Sequence, residues 1–423
     1  MSILKEPSSA AAVASVINRG LSIKRADWSG LKPAPGFERP MILTTQRWFS
    51  AARLAHALSE AGFAVSACRP GGHPLDLVDA LATARRFHKL WPLRSIAAAI
   101  RAANPDLVIC DDESSLALLR RLHARVRTTD PEMAELLVRS LGDIEDWPCI
   151  TSRTELAREA RALNLAAPET AVIDNADALH KWVTEHELPS VLKTDGSWGG
   201  RGVVIVRDAG MLPGVWPWIS SPPGLLRALK RAVFERDLNT LVAWRQRERP
   251  IVNAQQFCAG RDAIVTTASV GGKMQALVCL EVIQTSEPRG PATVVRIIDH
   301  PQMAATARQL IRRFGLTGFC GFDFMVDESG NAQLLEINPR ITPTSHLLVE
   351  GDCGPNRIVG LFPFELLRNP DPGADVFGIL DMPIRAPLLI EHGTKLAAGY
   401  HRPVTRAIRR VIQVVNKKFY RRH

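Results

Sequence analysis

A strand–turn–strand pattern in the last third of the chain constrains the fold most strongly. Residues 319–340 contain two short apolar runs around the turn-forming sequence 327–331, which is typical of a β-hairpin. Side chains alternate along a strand, so Glu336 and Asn338 share one face, and antiparallel pairing brings Asp323 beside them. Such oxygen ligands suit Mg²⁺ held against nucleotide phosphates. The alternative is an ordinary polar hairpin with a solvated acidic face.

Composition describes a globular protein of two or three lobes. Of 423 residues, 46% are hydrophobic and 23% are charged, and no apolar run is long enough to span a bilayer. Charged and polar residues interrupt the alanine-rich residues 1–20, which therefore do not resemble a signal peptide. The seven cysteines are scattered, without a C-x-x-C pair, and are expected to be reduced thiols. We therefore expect a cytoplasmic protein.

The net charge of +10 is partly local. Eight Lys or Arg residues and no acid lie between Arg402 and the C-terminus. Within residues 404–419, apolar side chains recur at helical spacing among these bases, which predicts a basic amphipathic helix. Such a helix can pack on the protein body or on a second subunit of a homo-oligomer, or can make a weak contact with an anionic membrane. No nucleic-acid-binding motif accompanies the charge, so no specific nucleic acid is expected.

The N-terminal third predicts a weakly structured leader and a small α/β domain. Residues 1–39 form the leader, and residues 40–130 alternate strands with helices, as in a Rossmann-like domain with a small parallel sheet. The predicted strands cover residues 41–45, 63–68 and 106–110. The predicted helices cover residues 50–62, 94–103 and 114–123.

An acidic triplet follows the last of these strands. Asp111, Asp112 and Glu113 fall at the carboxyl end of the strand, the edge at which parallel sheets usually bind ligands. Acids at the start of a helix also stabilise it through the helix dipole. Both interpretations remain open from the sequence.

The rest of the sequence predicts a second, larger domain over residues 146–350 and a C-terminal extension over residues 351–423. Residues 211–250, rich in Trp, Pro and Arg, are expected to form an insertion. The predicted helices cover residues 152–163, 176–187 and 302–314. The predicted strands, besides the hairpin, cover residues 170–173, 190–193, 251–258, 262–270 and 274–284.

A lysine followed by a glycine-rich loop forms a second motif. Lys193 ends a predicted buried strand, and four glycines follow it, at positions 196, 199, 200 and 202. Glycines let backbone N–H groups approach anionic oxygens closely, and lysine supplies a point charge for a phosphate. The loop is neither a Walker A sequence nor a Rossmann fingerprint.

With both motifs, residues 40–350 resemble the ATP-grasp family. The resemblance implies a glycine-rich lid over residues 190–206, a metal-binding hairpin over residues 319–340, and ATP and Mg²⁺ as cofactors, with Mn²⁺ as a possible substitute. It implies metal ligation by Asp323, Glu336 and Asn338, and catalytic roles for Lys193 and Arg340. It implies ATP binding by Arg153, Lys193, Gly196, Ser197, Trp198, Gly199, Gly200, Gly202, Gln255, Phe257, Cys258 and Asp262.

Within these residues, the resemblance assigns adenine contact to Gln255 and the backbone of Phe257 and Cys258, and ribose contact to Asp262. The sequence after Asn338 is most similar to the carbamoyl-phosphate synthetase large-chain branch. The implied reaction is ATP-dependent activation of a small-molecule carboxylate as an acyl phosphate, followed by attack of an amine or a similar nucleophile. The alternatives are a small-molecule kinase and a non-catalytic ATP-binding protein. The cysteines and histidines are expected to be structural, with His346, close to the metal strand, as a candidate exception.

Overall fold

A computed structural model describes most of the chain between residues 30 and 361. The described residues are 30–195, 202–222, 224–225, 244–247, 249–285, 290–350 and 358–361. The predictions for Gly196, Ser197, Trp198, Gly199, Gly200, the leader up to residue 29 and the basic tail lie outside them. Within these ranges, none of the helices combines the length and the apolar character that crossing a bilayer requires.

The N-terminal unit is built on a four-stranded parallel sheet, as predicted in type. Its strands are β1 (Pro40–Leu43), β2 (Ser66–Arg69), β3 (Thr83–Arg86) and β4 (Leu107–Cys110), in the order β3-β2-β1-β4. Strand β3 was not predicted, because it is an edge strand with exposed arginines and lacks the apolar run that marks a buried strand.

Helices cover both faces of this sheet. They are α1 (Phe49–Glu60), α2 (Pro92–Ala103), α3 (Glu113–Val126) and α4 (Pro131–Leu141). The side chains of β1 alternate between two hydrophobic clusters: Ile42 packs in one, and Met41 and Leu43 pack in the other. Helix α4 was not predicted, although Asp130 caps it by accepting from the Met133 N–H.

A smaller antiparallel sheet follows. Its strands are β5 (Thr170–Ile173), β6 (Ser190–Thr194), β7 (Val203–Val206) and β8 (Val252–Gln256), in the order β5-β8-β6-β7. Helices α5 (Trp147–Thr151) and α6 (Arg153–Ala162) precede it, and α7 (Ala176–His186) and α8 (Leu212–Ile219) lie between its strands in sequence. Leu192, Val206 and Ala254 are fully buried in its core, together with Leu179 of α7.

The third sheet has six antiparallel strands. They are β9 (Arg261–Val270), β10 (Lys273–Thr285), β11 (Ala292–Ile298), β12 (Gly318–Val326), β13 (Ala332–Asn338) and β14 (Ile358–Gly360), in the order β13-β12-β9-β10-β11-β14. Helix α9 (Pro301–Arg313) packs on β9 and β10, with Leu310 and Ile311 fully buried. Strand β11 was not predicted, although it is rich in β-branched residues.

The parallel sheet and the six-stranded sheet share one hydrophobic cluster. Ile42 and Leu54 of the N-terminal unit belong to the same cluster as Val278 of β10 and Leu347 of the short helix α10 (Leu347–Glu350). A backbone hydrogen bond from the Ile341 N–H to a carbonyl of β4 adds a direct link. The carboxyl edge of the parallel sheet is therefore held against the end of β13.

Candidate active site

Strands β12 and β13 bring the three predicted metal ligands together. Asp323 is paired directly with Glu336, and Asn338 is paired with Gly321 on the same two strands. The Asn338 side-chain N–H donates to Asp323 Oδ2 at 3.0 Å. The alternation of side chains along β13 therefore has the consequence expected from the sequence: two carboxylates and one amide face a common space.

The two carboxylates share a half-buried environment. Burial and the nearby Glu336 carboxylate raise the pKa of Asp323. Burial alone would also raise the pKa of Glu336, but the Arg153 guanidinium and the Lys193 ammonium hold it below its ordinary value. Two acids that cannot both ionise easily, beside an amide oxygen, are the donor set that a divalent cation would stabilise. The residues present thus fit Mg²⁺.

Arg153 connects the small sheet to this hairpin. It is the first residue of α6, whose N-cap Ser152 accepts from the Glu155 N–H. Its guanidinium donates to the Thr194 carbonyl at 2.9 Å and to Glu336 Oε2 at 3.0 Å. A fixed positive charge therefore lies between the end of β6 and the acids of β13.

Lys193 reaches the same place from β6. Burial lowers its pKa, and the Glu336 carboxylate opposes that effect. Just beyond it, the Thr194 N–H donates to the carbonyl of Gly202, which closes the chain back onto the strand after the glycine-rich segment. Gly202 is the one member of that loop within the described residues.

A cavity of about 430 Å³ lies between the small sheet and the six-stranded sheet. This volume is in the range of small-molecule sites in proteins. Ten predicted site residues line it, whereas Gly202 is not among its lining residues. The ten are Arg153, Lys193, Gln255, Phe257, Cys258, Asp262, Asp323, Glu336, Asn338 and Arg340.

Part of the cavity wall is apolar. Val191, Val203 and Ile205 line it from the small sheet, and Met325 lines it from β12. The Gln255 side chain is almost fully buried and donates to the Thr170 hydroxyl at 3.1 Å, so its amide is fixed by the fold.

Arg340 lies where the parallel sheet meets the hairpin. Its guanidinium donates to Glu113 Oε1 at 2.6 Å and to Asn338 Oδ1 at 3.2 Å. It also lies over the ring of Trp48, 5.7 Å from the centroid. Sequence reasoning did not assign Trp48 to the site, because only tertiary contact brings it beside Arg340.

The three acids that follow β4 have different roles, so neither the ligand-site interpretation nor the helix-cap interpretation applies to all of them. Asp112 is structural: it caps α3 by accepting from the Ser115 N–H at 2.8 Å, and it also accepts from the Thr45 N–H at 2.6 Å. Asp111 is fully buried and hydrogen-bonded to two hydroxyl groups. Glu113 lines the cavity and pairs with Arg340. Only the third acid of the triplet therefore faces the site.

Threonines extend the cavity beyond Arg340. Thr342 and Thr344 line it, and their hydroxyls lie 3.0 Å apart, in a buried cluster with Thr266. Sequence reasoning missed them, although they follow the metal strand directly. His346, the candidate exception among the histidines, is buried and does not line this cavity.

Comparison with known proteins supports the fold. The family profile of the ATP-grasp domain matches residues 237–344. No protein with a curated description matches the sequence.

Solved structures are similar over most of the chain at low sequence identity. Biotin carboxylase of Campylobacter jejuni, complexed with β-γ-ATP, is 16% identical with a TM-score of 0.52, covering 73% of this chain and 67% of its own. Carboxyaminoimidazole ribonucleotide synthase of Aspergillus clavatus, complexed with ATP, is 15% identical with a TM-score of 0.50, covering 72% and 71%. N5-carboxyaminoimidazole synthetase of Staphylococcus aureus is 13% identical with a TM-score of 0.50, covering 79% and 82%.

These matches agree with the architecture of the chain. A small parallel sheet precedes two antiparallel sheets that enclose a cavity, and the acidic hairpin lies within the segment that the family profile matches. The resemblance stated from the sequence is confirmed at the level of the fold. The chain therefore has the ATP-grasp fold, and its residues 237–344 match the profile of the ATP-grasp domain.

Proposed function

We propose that this chain is an ATP- and Mg²⁺-dependent ligase, which activates a carboxylate as an acyl phosphate and joins it to an amine or a similar nucleophile. The observation that carries the proposal is the convergence on one cavity of ten residues that the motifs and the family resemblance had assigned to the site. The cavity combines cationic, acidic and apolar groups, as a nucleotide with its phosphates requires. Two structurally similar proteins were solved in complex with ATP or with β-γ-ATP.

Phosphate binding is assigned to the two cationic side chains that line the cavity beside the small sheet. Lys193 and Arg153 would neutralise the phosphate oxygens, and the glycine-rich segment 196–202 would cover them and exclude water. Asp323, Glu336 and Asn338 would hold Mg²⁺, for which Mn²⁺ could substitute. When bound, the metal would supply Lewis-acid neutralisation of the β- and γ-phosphates.

Carboxylate binding is assigned to the part of the cavity around Arg340. Arg340 presents a guanidinium that Glu113 and Trp48 hold in place, next to the amide of Asn338. A planar guanidinium suits bidentate recognition of a carboxylate or a phosphoryl group. Its position beside the proposed metal ligands would align the carboxylate with the transferred phosphoryl group, and alignment of this kind supplies much of the catalysis of phosphoryl transfer.

Further assignments accompany this function. The six cysteines in the described part of the chain are free thiols, which supports a cytoplasmic location. We assign the metal motif to the carbamoyl-phosphate synthetase type, on the sequence after Asn338. Homo-oligomerisation and weak membrane contact of the basic tail remain alternatives for residues 404–419, because both need only an exposed amphipathic face.

The test is a screen of small carboxylates and amines for ADP release. A ligase releases ADP when both substrates are present and yields a ligated product that mass spectrometry detects. A phosphorylated acceptor formed without an amine would favour the kinase instead, and ATP binding without any turnover would favour the non-catalytic protein. Lys193→Ala should abolish the signal, and the control Lys181→Ala, on the exposed face of α7, should retain it.

A further inference from the structure

A second cavity, of about 360 Å³, lies at the carboxyl edge of the parallel sheet. We call it the basic pocket. Its walls come from the segments after three neighbouring strands: Arg47 follows β1, Gly71 follows β2, and Arg86 ends β3. This edge is the usual ligand-binding edge of open parallel sheets. None of the residues that line the basic pocket lines the larger cavity.

Two guanidinium groups converge on one peptide in the basic pocket. Arg47 Nη2 donates to the Gly71 carbonyl at 2.7 Å. The Arg86 guanidinium packs on the same residue, 3.4 Å from the position that a Gly71 Cβ would occupy. A longer side chain at position 71 would press on this guanidinium, so glycine permits the two arginines to share the site.

The two arginines of the basic pocket are not paired with acids within the described part of the chain. His88 and Lys89 line it as well, and its lining contains no Asp or Glu. Among the described residues, Arg47 and Arg86 form none of the ion pairs that the structure shows, whereas the neighbouring Arg69 pairs with Asp76. Like charges held together repel each other, and a bound anion would remove that repulsion.

The chemistry of the lining defines the class of ligand. Two guanidinium forks match the several oxygens of a phosphate better than they match a single-point acceptor. Trp91 and Leu90 line the same pocket with 63% and 80% of their surface exposed, and Arg94 lies 5.5 Å from the Trp91 ring. A flat or apolar body attached to the phosphate could pack on that indole.

The basic pocket is also adjacent to the proposed reaction site. Arg47 precedes Trp48, whose ring contacts the Arg340 guanidinium. One loop therefore lines the basic pocket and supports the residue assigned to the carboxylate. We propose that the basic pocket binds the phosphate group of one of the two ligase substrates, an assignment of substrate class that rests on the proposed function.

Inorganic phosphate is the direct probe. Wild-type protein is titrated with phosphate in the presence of saturating ADP and Mg²⁺, which occupy the larger cavity, and binding is followed by ³¹P NMR line broadening. Arg86→Ala should weaken binding by about tenfold, the effect of losing one charge-assisted hydrogen bond. The control is Arg85→Ala: this arginine adjoins Arg86 on the same edge strand, is exposed, and does not line the pocket. It should bind phosphate like the wild type.

Several results would overturn the assignment. These are the absence of saturable phosphate binding, an equal loss in both arginine variants, or binding that ADP displaces and Lys193→Ala removes, because the last would place phosphate in the ATP cavity. Equal binding of malonate would contradict the phosphate class. The ATP response is measured separately by thermal shift, so failure of the pocket and failure of the ligase are distinguishable. In the substrate screen, Arg86→Ala should raise the KM of a phosphorylated substrate and leave the KM of ATP unchanged.

Discussion

Substitution of Asp111 by asparagine should remove a loss of stability that the wild-type protein undergoes as the pH rises. The Asp111 carboxyl is fully buried at the end of β4 and accepts hydrogen bonds from the Ser50 and Thr44 hydroxyls, each at 2.9 Å. Burial and the neighbouring Asp112 raise its pKa to about 7 from the ordinary value of 3.8, against the opposing effect of those hydroxyls and of Arg340. The folded protein therefore retains a proton that the unfolded chain releases.

The sign and size follow from proton linkage. When the pKa of an acid is higher in the folded state, the acid ionises in the unfolded chain at a lower pH than in the folded protein. Ionisation then stabilises only the unfolded state, so the free energy of unfolding falls as the pH rises between the two pKa values. With values of 3.8 and about 7, the loss between pH 5 and pH 8 is about 2.5 kcal/mol. Asparagine at position 111 cannot ionise, and its amide can still pair with both hydroxyls, which act as donors or acceptors.

The assay is urea denaturation of the wild type and Asp111→Asn at pH 5 and pH 8. Relative to the wild type, the variant should gain about 2.5 kcal/mol of unfolding free energy between the two pH values. Asp177→Asn, which changes an exposed carboxylate on the first turn of α7, should follow the wild type at both. A variant whose difference from the wild type is the same at pH 5 and pH 8 would refute the reasoning, since Asp111 would then be ionised in the folded protein as in the unfolded one.

Two further predictions concern stability. Asp112→Ala should cost roughly 2–3 kcal/mol of unfolding free energy in urea, because it removes the cap of α3 and takes away the carboxylate that accepts from the buried Thr45 N–H. Asp130→Ala, at the more exposed cap of α4, should cost only about 1 kcal/mol. Gly321→Ala should cost about 1–3 kcal/mol, because the new Cβ would lie 2.6 Å from the buried Thr342 Cγ2. Its control, Gly214→Ala on α8, meets open space and should be neutral or stabilising; equal effects of the two glycine variants would contradict this.

The local part of the structure was predictable from the sequence. The hairpin was predictable, because the alternation of side chains determines which side chains of β13 share a face. The turn sequence then determines the pairing of Asp323 with Glu336. The helices α6 and α9 were predicted within one or two residues. Strand β3 was missed because its exposed sequence carries no apolar periodicity.

The long-range contacts could not be derived from the pattern. Glu113 and Arg340 are 227 positions apart, and nothing in either local sequence identifies the other as its partner. The same holds for Arg47 and Arg86, which meet only because β1, β2 and β3 end at one edge of the sheet. The acidic triplet is a third example. Its local sequence allowed either a ligand site or a helix cap, and only the packing of the folded chain shows that Asp112 is the cap and that Glu113 lines the cavity.

The most direct test of the central claim is whether nucleotide binding depends on a divalent metal and on the acidic hairpin. Wild-type melting temperature should rise by several degrees with ATP and Mg²⁺ together, because a ligand that binds only the folded state stabilises it. Glu336→Gln should keep the ligand-free melting temperature within a few degrees and lose most of this shift. Glu328→Gln, in the exposed turn of the same hairpin, should retain it. An equal shift without metal, or an undiminished shift in Glu336→Gln, would contradict the assignment of the hairpin as the metal site.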